Sequence, residues 1–168
     1  MFFFCSDTHF GHFLEALNRP FTGYDMNNLM IKNWNEKITP QDKVFFLGDF
    51  ALHMRLPDME AIFEKLNGDK HLIVGNHDRN NKVHQLKWGS VHDVMMVDTP
   101  GQGSFWLSHY PHRSWPRSFH GSFHLHGHCH GKMSPYTNSL DVGMDCHNYY
   151  PLSLDEVLQK IPRGKLES

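Results

Sequence analysis

Residues 2–9 read Phe2-Phe3-Phe4-Cys5-Ser6-Asp7-Thr8-His9, an apolar run that passes at once into a carboxylate and an imidazole. An unbroken apolar run of this kind suits a strand buried on both faces, and the polar residues beyond it mark the strand's carboxyl end. The same device recurs twice. Val44 to Leu47 runs into Gly48-Asp49, and Leu72 to Val74 runs into Gly75-Asn76-His77-Asp78. Amphipathic stretches lie between. Asp25 is placed to cap a helix that repeats Met26, Met30, Trp34 and Ile38 on one face. Pro57 opens a second helix that turns Ile62, Phe63 and Leu66 inward and stops at Asn67-Gly68. This βαβαβ order predicts a parallel sheet with right-handed crossovers, in which ligands gather beyond the carboxyl ends of the strands.

The second half changes character. Val91 to Val97, Ser104 to Ser108, Ser122 to Leu125 and Ser139 to Val142 read as strands with little helix between them, which implies a second sheet packed on the first. Pro111 to His120 lacks periodicity and reads as a loop near the mouth of a site. Ser153 with Glu156 forms a capping box for a last helix, Leu154 to Ile161. A single domain over residues 1–162 and a flexible tail over 163–168 account for the chain.

With 16 Lys and Arg against 18 Asp and Glu, the net charge of -2 gives no broad field for nucleic acid or membrane, so no extended nucleic-acid binding is expected. Three cysteines, Cys5, Cys129 and Cys146, form an odd set without paired spacing, which argues for a reducing compartment, the cytoplasm by default. No signal peptide and no membrane span are read in the chain. Histidine is the conspicuous excess: 15 residues carry the side chain that most often ligates metal.

The histidines and acids concentrate after strands. Besides the three junctions above, His109 follows the Ser104 to Ser108 strand, and Gly127-His128-Cys129-His130 follows the Ser122 to Leu125 strand. In extended backbone a spacing of two turns Asp7 and His9 the same way, and likewise His128 and His130, with Cys129 pointing off. Any one fragment has an ordinary explanation in turn chemistry. Five in order, all at strand ends that a parallel sheet brings to one rim, do not.

In that order, Asp7-x-His9, Gly48-Asp49, Gly75-Asn76-His77-Asp78, His109 and Gly127-His128-x-His130 resemble the signature of the calcineurin-like metallophosphoesterase superfamily, closest to its short bacterial and phage-type phosphoesterases. The resemblance implies an α/β fold, a four-layer α/β/β/α sandwich of two packed mixed sheets flanked by helices, with a dinuclear metal site at the strand rim. It puts Asp7, His9 and His130 on one cation and Asn76, His109 and His128 on the other, with Asp49 bridging. The resemblance makes His77 the catalytic residue, contacting the substrate phosphate and protonating or steadying the leaving oxygen. Carboxylate, amide oxygen and imidazole donors without thiolate suit two divalent cations, manganese first and iron, zinc or nickel as alternatives, rather than calcium. The activity implied is hydrolysis of phosphodiesters of nucleotide-like or other small phosphate esters, by attack of metal-bound hydroxide on phosphorus.

His12, Asp78, His112 and Arg113 are candidates for orienting a ligand or touching substrate. His124 and His126 lie on a strand with one face expected to be exposed, and no role is assigned to them. The protein Ser/Thr phosphatases of the superfamily extend the second motif as G-D-x-x-D-R-G and close the third with Glu. Here Leu52 stands where a carboxylate would orient the catalytic histidine, and Asp78 stands for Glu, which argues against a phosphoprotein phosphatase. With no room for a large cap domain, an open site and a permissive diesterase are expected. A phosphomonoesterase or nuclease with the same site, and a non-catalytic binding scaffold, are the alternatives. The complete ligand set favours the enzyme, while oligomeric state does not follow from the sequence.

Overall fold

The structure, a computed structural model, describes residues 1–12 and 17–165. Strands β1 (Phe2–Cys5), β2 (Lys43–Phe46) and β3 (Asp69–Ile73) alternate with helices α1 (Gly23–Lys37) and α2 (Leu56–Phe63). β4 (Ser90–His92) follows, then β5 (Val94–Thr99), β6 (Gly103–Ser108), β7 (Phe123–His126), β8 (Ser139–Asp141), β9 (Leu152–Ser153) and helix α3 (Leu154–Lys160). The result is mixed α/β with two mixed sheets. The first runs β4-β3-β2-β1-β9, parallel except for β9, and the second runs β5-β6-β7-β8, with β5 antiparallel to β6 and the rest parallel.

β1, β2 and the carboxyl end of β3 are buried on both faces, which is why residues 3–5, 44–46 and 72–73 are apolar runs. Phe3, Cys5, Val44, Phe46 and Leu72 turn toward α1 and α2, meeting Met26, Met30, Trp34, Met59 and Phe63. Phe4, Phe45, Leu47 and Ile73 turn the other way, onto Val97, Phe105, Leu107 and Leu125 of the second sheet. The predicted α1 face of Met26, Met30, Trp34 and Ile38 is buried in full. The helix begins earlier than expected, because Thr22 supplies the extended cap residue and Asp25 falls in the first turn. The end of α2 tightens at Phe63, where Lys65 and Leu66 donate to Ile62 and Phe63, and the chain then turns at Gly68.

Four features depart from the sequence reading. Val91 to Val97 is not one strand: β4 pairs with β3 in the first sheet and β5 with β6 in the second, the switch falling at Asp93. β7 is buried on both faces, because the 109–122 loop lays His112 and Trp115 over His124. The last helix ends at Lys160, one residue before the expected Ile161, and sends Leu154 and Val157 into the core between the sheets, where Ile161 joins them. Finally, Asn138 exchanges hydrogen bonds with Gly164 (2.9 and 3.3 Å), so the packed chain runs past the expected boundary at residue 162. Of the expected 163–168 tail, residues 166–168 lie outside the described residues. Among the described residues, no helix is long and apolar enough to cross a membrane.

Candidate metal centre

Every predicted ligand stands on a turn just past a strand: Asp7 and His9 after β1, Asp49 after β2, Asn76 after β3, His109 after β6, His128 and His130 after β7. The side chains converge through these turns, not through the extended spacing expected for the two i, i+2 pairs. Asp7 (φ 59°), His9 (46°), Asp49 (61°), His128 (69°) and His130 (49°) all hold left-handed backbone. That conformation costs a non-glycine residue on the order of 1–3 kcal/mol, and such strain gathers where surrounding structure enforces a functional geometry. Backbone bonds hold the turns together: Asp7 N donates to Gly48 O (2.9 Å), His9 N to Asp49 O (3.0 Å) and Gly127 N to His109 O (3.0 Å).

Two glycines permit the close approach. A Cβ on Gly75 would collide with Asp49 Oδ1 and sit 2.6 Å from the Asp49 nitrogen, and one on Gly127 would collide with Asp7 Oδ2 and Ser6 Oγ. Gly75→Ala is expected to lower stability by about 1–3 kcal/mol through overpacking and to displace Asp49. Thermal unfolding together with metal content checks both effects.

The carboxylates are aimed by their own hydrogen bonds. Asp7 Oδ2 accepts from Ser6 Oγ (2.6 Å) and the His128 amide (2.9 Å). Oδ1, buried and without a hydrogen-bond partner among the described residues, is left facing His9 Nε2 at 3.6 Å and His130 Nε2 at 3.7 Å. His9 Nε2 is likewise buried and unpartnered. Asp49 Oδ1 accepts from the His77 amide (3.0 Å), and its Oδ2 lies 3.5 Å from His109 Nε2 and 3.7 Å from His9 Nε2. These separations are too long for hydrogen bonds. They match two donors each about 2.1 Å from one cation and roughly 110° apart, which stand about 3.4 Å from one another.

Three groups of side chains bring ligand atoms within 4.8 Å of one another: Asp7, His9 and His130; Asp49, His109 and His128; and His9, Asp49 and His77. The first holds the three residues expected on one cation; the second holds His109 and His128 with Asp49, the residue expected to bridge, and Asn76 Oδ1, expected beside them, lies 3.0 Å from His109 Nε2. The third brings in His77, whose Nε2 stands 3.9 Å from Asp49 Oδ2 on a side chain 40% exposed, at the open side of the cluster.

Charge balance is set by this proximity. Burial would raise the Asp7 and Asp49 carboxyls, but the adjacent imidazoles outweigh it and both stay below their usual range. Burial works against protonating His109 as well, yet Asp49 and Asp7 lift its pKa to about 9. His109 Nδ1 donates to Leu47 O (2.7 Å), so Nε2 is the atom that faces the cluster. The pKa exceeds the ordinary 6.5, so the metal-free protein holds this proton at pH 7 and loses it, with the stability it contributes, as pH rises through about 9. A cation at Nε2 must displace that proton. Manganese affinity is therefore expected to rise by about tenfold per pH unit between 6.5 and 9, measured by competition titration, and a flat profile would contradict the assignment.

The four accessory candidates divide. Asp78 joins two ligand loops, accepting from the amides of Asp49 (2.8 Å), Phe50 (3.0 Å) and Gly75 (2.8 Å). His12 stacks near His9, with ring centroids 6.2 Å apart. His112 and Arg113 are engaged elsewhere. His112 stacks on His124 at 5.2 Å and accepts from Trp106 Nε1 at 3.1 Å, while the Arg113 guanidinium lies 5.1 Å over Tyr136. Both border a cavity of about 490 Å³ whose wall includes Met133, Tyr136 and Lys160. Burial pushes the His124 pKa down to about 3, so it stays neutral.

Sequence reasoning missed three neighbours. Tyr110 packs edge-on against His109 and His128 (5.2 and 4.7 Å). Asp145 accepts from His130 Nδ1 (2.8 Å), and Arg19 donates to Asp145 (2.8 Å). Asp145 carried a findable signal, since it stands just past β8 as the ligands stand past their strands. Arg19 carried none.

Fold and cluster together define a mixed α/β protein with histidine and aspartate groups of metal-binding spacing at its strand ends. The chain belongs to the family of uncharacterized protein MJ1445 from Methanocaldococcus jannaschii, to which it is 34% identical over 171 residues, covering 96% of this chain and 91% of that protein. It is also similar to the Gene 66 protein of Mycobacterium phage D29, 32% identical over 126 residues, 65% of this chain and 63% of that one. Among solved structures it resembles the protein of unknown function AQ665 from Aquifex aeolicus, with a TM-score of 0.73 at 23% identity over 96% of this chain and 99% of that chain, a likeness of fold. No family model matches the chain.

Proposed function

We propose that this protein is a dinuclear metal-dependent phosphoesterase of the calcineurin-like type, a two-sheet sandwich that hydrolyses phosphodiesters of nucleotide-like or other small compounds at its strand rim. The observation that carries the reading is the pair of buried atoms Asp7 Oδ1 and His9 Nε2, 3.6 Å apart and without hydrogen-bond partners among the described residues. A buried carboxylate oxygen without a partner is costly, and a cation between these atoms removes the cost. Asp7, His9 and His130 would hold one cation, Asn76, His109 and His128 the other, and Asp49 would join the two. Oxygen and imidazole donors without thiolate fit manganese, iron, zinc or nickel.

Two divalent ions held there would supply an activated water and positive charge for the phosphoryl oxygens. The chain does the rest. Asp7 and Asp49 bring two negative charges against the four positive ones of a divalent pair, which leaves net attraction for a phosphate. His77, half-buried and next to Asp49, stands at the open side of the cluster, where its Nε2 would contact the phosphate and protonate or steady the leaving oxygen. Tyr110 is 47% exposed and His128 is exposed beside it, so the rim grips a phosphate without enclosing the rest of the substrate. Three free cysteines suit a reducing compartment, and we assign the protein to the cytoplasm.

The test is hydrolysis of bis(p-nitrophenyl) phosphate and p-nitrophenyl phosphate with manganese added after chelation. Metal-dependent turnover of the diester is expected. Strong preference for the monoester would overturn the diesterase assignment, and no turnover by the metal-loaded protein would favour a binding scaffold.

A further inference from the structure

We infer that Asp145 is a positioning residue for the first cation, acting through His130, and that Arg19 ties it to the loop carrying Asp7 and His9. The inference rests on the assignment of Asp7, His9 and His130 as cation ligands, and it concerns a carboxylate that lies outside all three ligand groups.

Asp145 stands on a single turn, Met144–Cys146, after β8, and both its oxygens are engaged. Oδ2 accepts from His130 Nδ1 at 2.8 Å and from Arg19 Nη2 at 3.0 Å, and Oδ1 accepts from Arg19 Nε at 2.8 Å. The same guanidinium donates from Nη1 to Thr8 O (2.7 Å) and from Nη2 to Asp7 O (2.8 Å). One planar fork therefore joins the Asp7–Thr8 backbone to the acid that holds His130. Arg19 is 5% exposed and Asp145 10%. A buried ion pair adds little net stability over well-packed apolar side chains, so stability alone does not account for it.

Its effect on His130 is specific. A carboxylate only accepts, so Nδ1 carries a hydrogen and Nε2 is the nitrogen left to face Asp7 Oδ1, 3.7 Å away, with the His130 ring stacked on His9 at 5.3 Å. A carboxylate behind a ligating imidazole fixes its tautomer and orientation and raises its basicity. The second group is built differently. There His109 Nδ1 donates to a backbone carbonyl, Leu47 O (2.7 Å), and not to a carboxylate, and the exposed His128 ring packs against Tyr110 and His109. Loss of Asp145 should therefore act on one cation and spare the other.

The experiment strips the full chain with chelator and titrates it with cobalt(II), following visible absorption, which reports ligand number and geometry, with calorimetry in parallel. Wild type is expected to bind two equivalents. Asp145→Ala should weaken one of them by about 10- to 100-fold and change the cobalt spectrum, leaving the other equivalent and the near-UV circular dichroism of the metal-free protein as they were. Asp145→Asn keeps an oxygen acceptor for His130 Nδ1 and should recover most of the affinity. Wild-type affinity in both variants would overturn the inference. So would equal loss of both equivalents together with the near-UV signal, which would make the Arg19–Asp145 pair a prop of the fold. If wild type binds both equivalents and cleaves no phosphate ester, the hydrolase reading fails while the positioning role stands on the titration.

Discussion

Asp49→Ala is expected to reduce bound metal from about two equivalents to fewer than one per chain and to bring phosphodiester hydrolysis to background. Its carboxylate faces histidines of both proposed positions. Asp49 Oδ2 is 3.5 Å from His109 Nε2, 3.7 Å from His9 Nε2 and 3.9 Å from His77 Nε2, so its removal withdraws a donor from both proposed positions. The fold should survive. The Asp49 backbone keeps its bonds to His9 and Asp78, and His109, deprived of its carboxylate, sheds a proton instead of remaining a buried unpaired cation. Its pKa should accordingly drop from about 9 toward or below 6.5, which an NMR titration of the metal-free protein would show. Metal analysis by mass spectrometry reads the main effect, and two tightly held equivalents in the variant would remove Asp49 from the bridging role.

His77→Ala is expected to do the reverse: keep both metals and lose about 10²- to 10⁴-fold in kcat. The His77 amide, not its ring, supports Asp49, and alanine preserves that donor at 3.0 Å. The ring stands at the edge of the cluster, 40% exposed and 5.5 Å from the His9 ring, where an incoming ester would meet it. A substrate whose leaving group needs no proton, such as a nitrophenolate, should suffer less than an alkyl ester, and that contrast separates proton delivery from phosphate binding. Loss of metal with the ring would instead make His77 a ligand, completing the group it forms with His9 and Asp49.

Much of this arrangement was legible in the sequence because buried parallel strands leave little choice. Their apolar runs announce them, and the residues that follow must stand at one rim. Phe2–Cys5 was found to the residue, and two groups of side chains with metal-binding spacing, Asp7-His9-His130 and Asp49-His109-His128, fall on residues that the motifs singled out. What stayed hidden depends on partners remote in the chain. No pattern in residues 91–97 signals that Asp93 separates strands of different sheets, since a lone charged residue is ordinary within a single strand with one solvent-facing side. His124 and His126 looked half-exposed because alternation cannot reveal that a loop folds back over the outer face. The left-handed turns at Asp7, His9, Asp49, His128 and His130 were unreadable for another reason: local propensity disfavours them, and only the assembled rim enforces them. Arg19 reaches across 126 positions to Asp145, and nothing near it in the chain foretells that contact.

The most direct measurement is anomalous X-ray diffraction from crystals of this protein grown with manganese. Two peaks about 3.5–4 Å apart are predicted, one between Asp7, His9 and His130 and the other between Asn76, His109 and His128, with Asp49 touching both. A metal-saturated crystal with no peak among these side chains, or with manganese bound only elsewhere, would contradict the account.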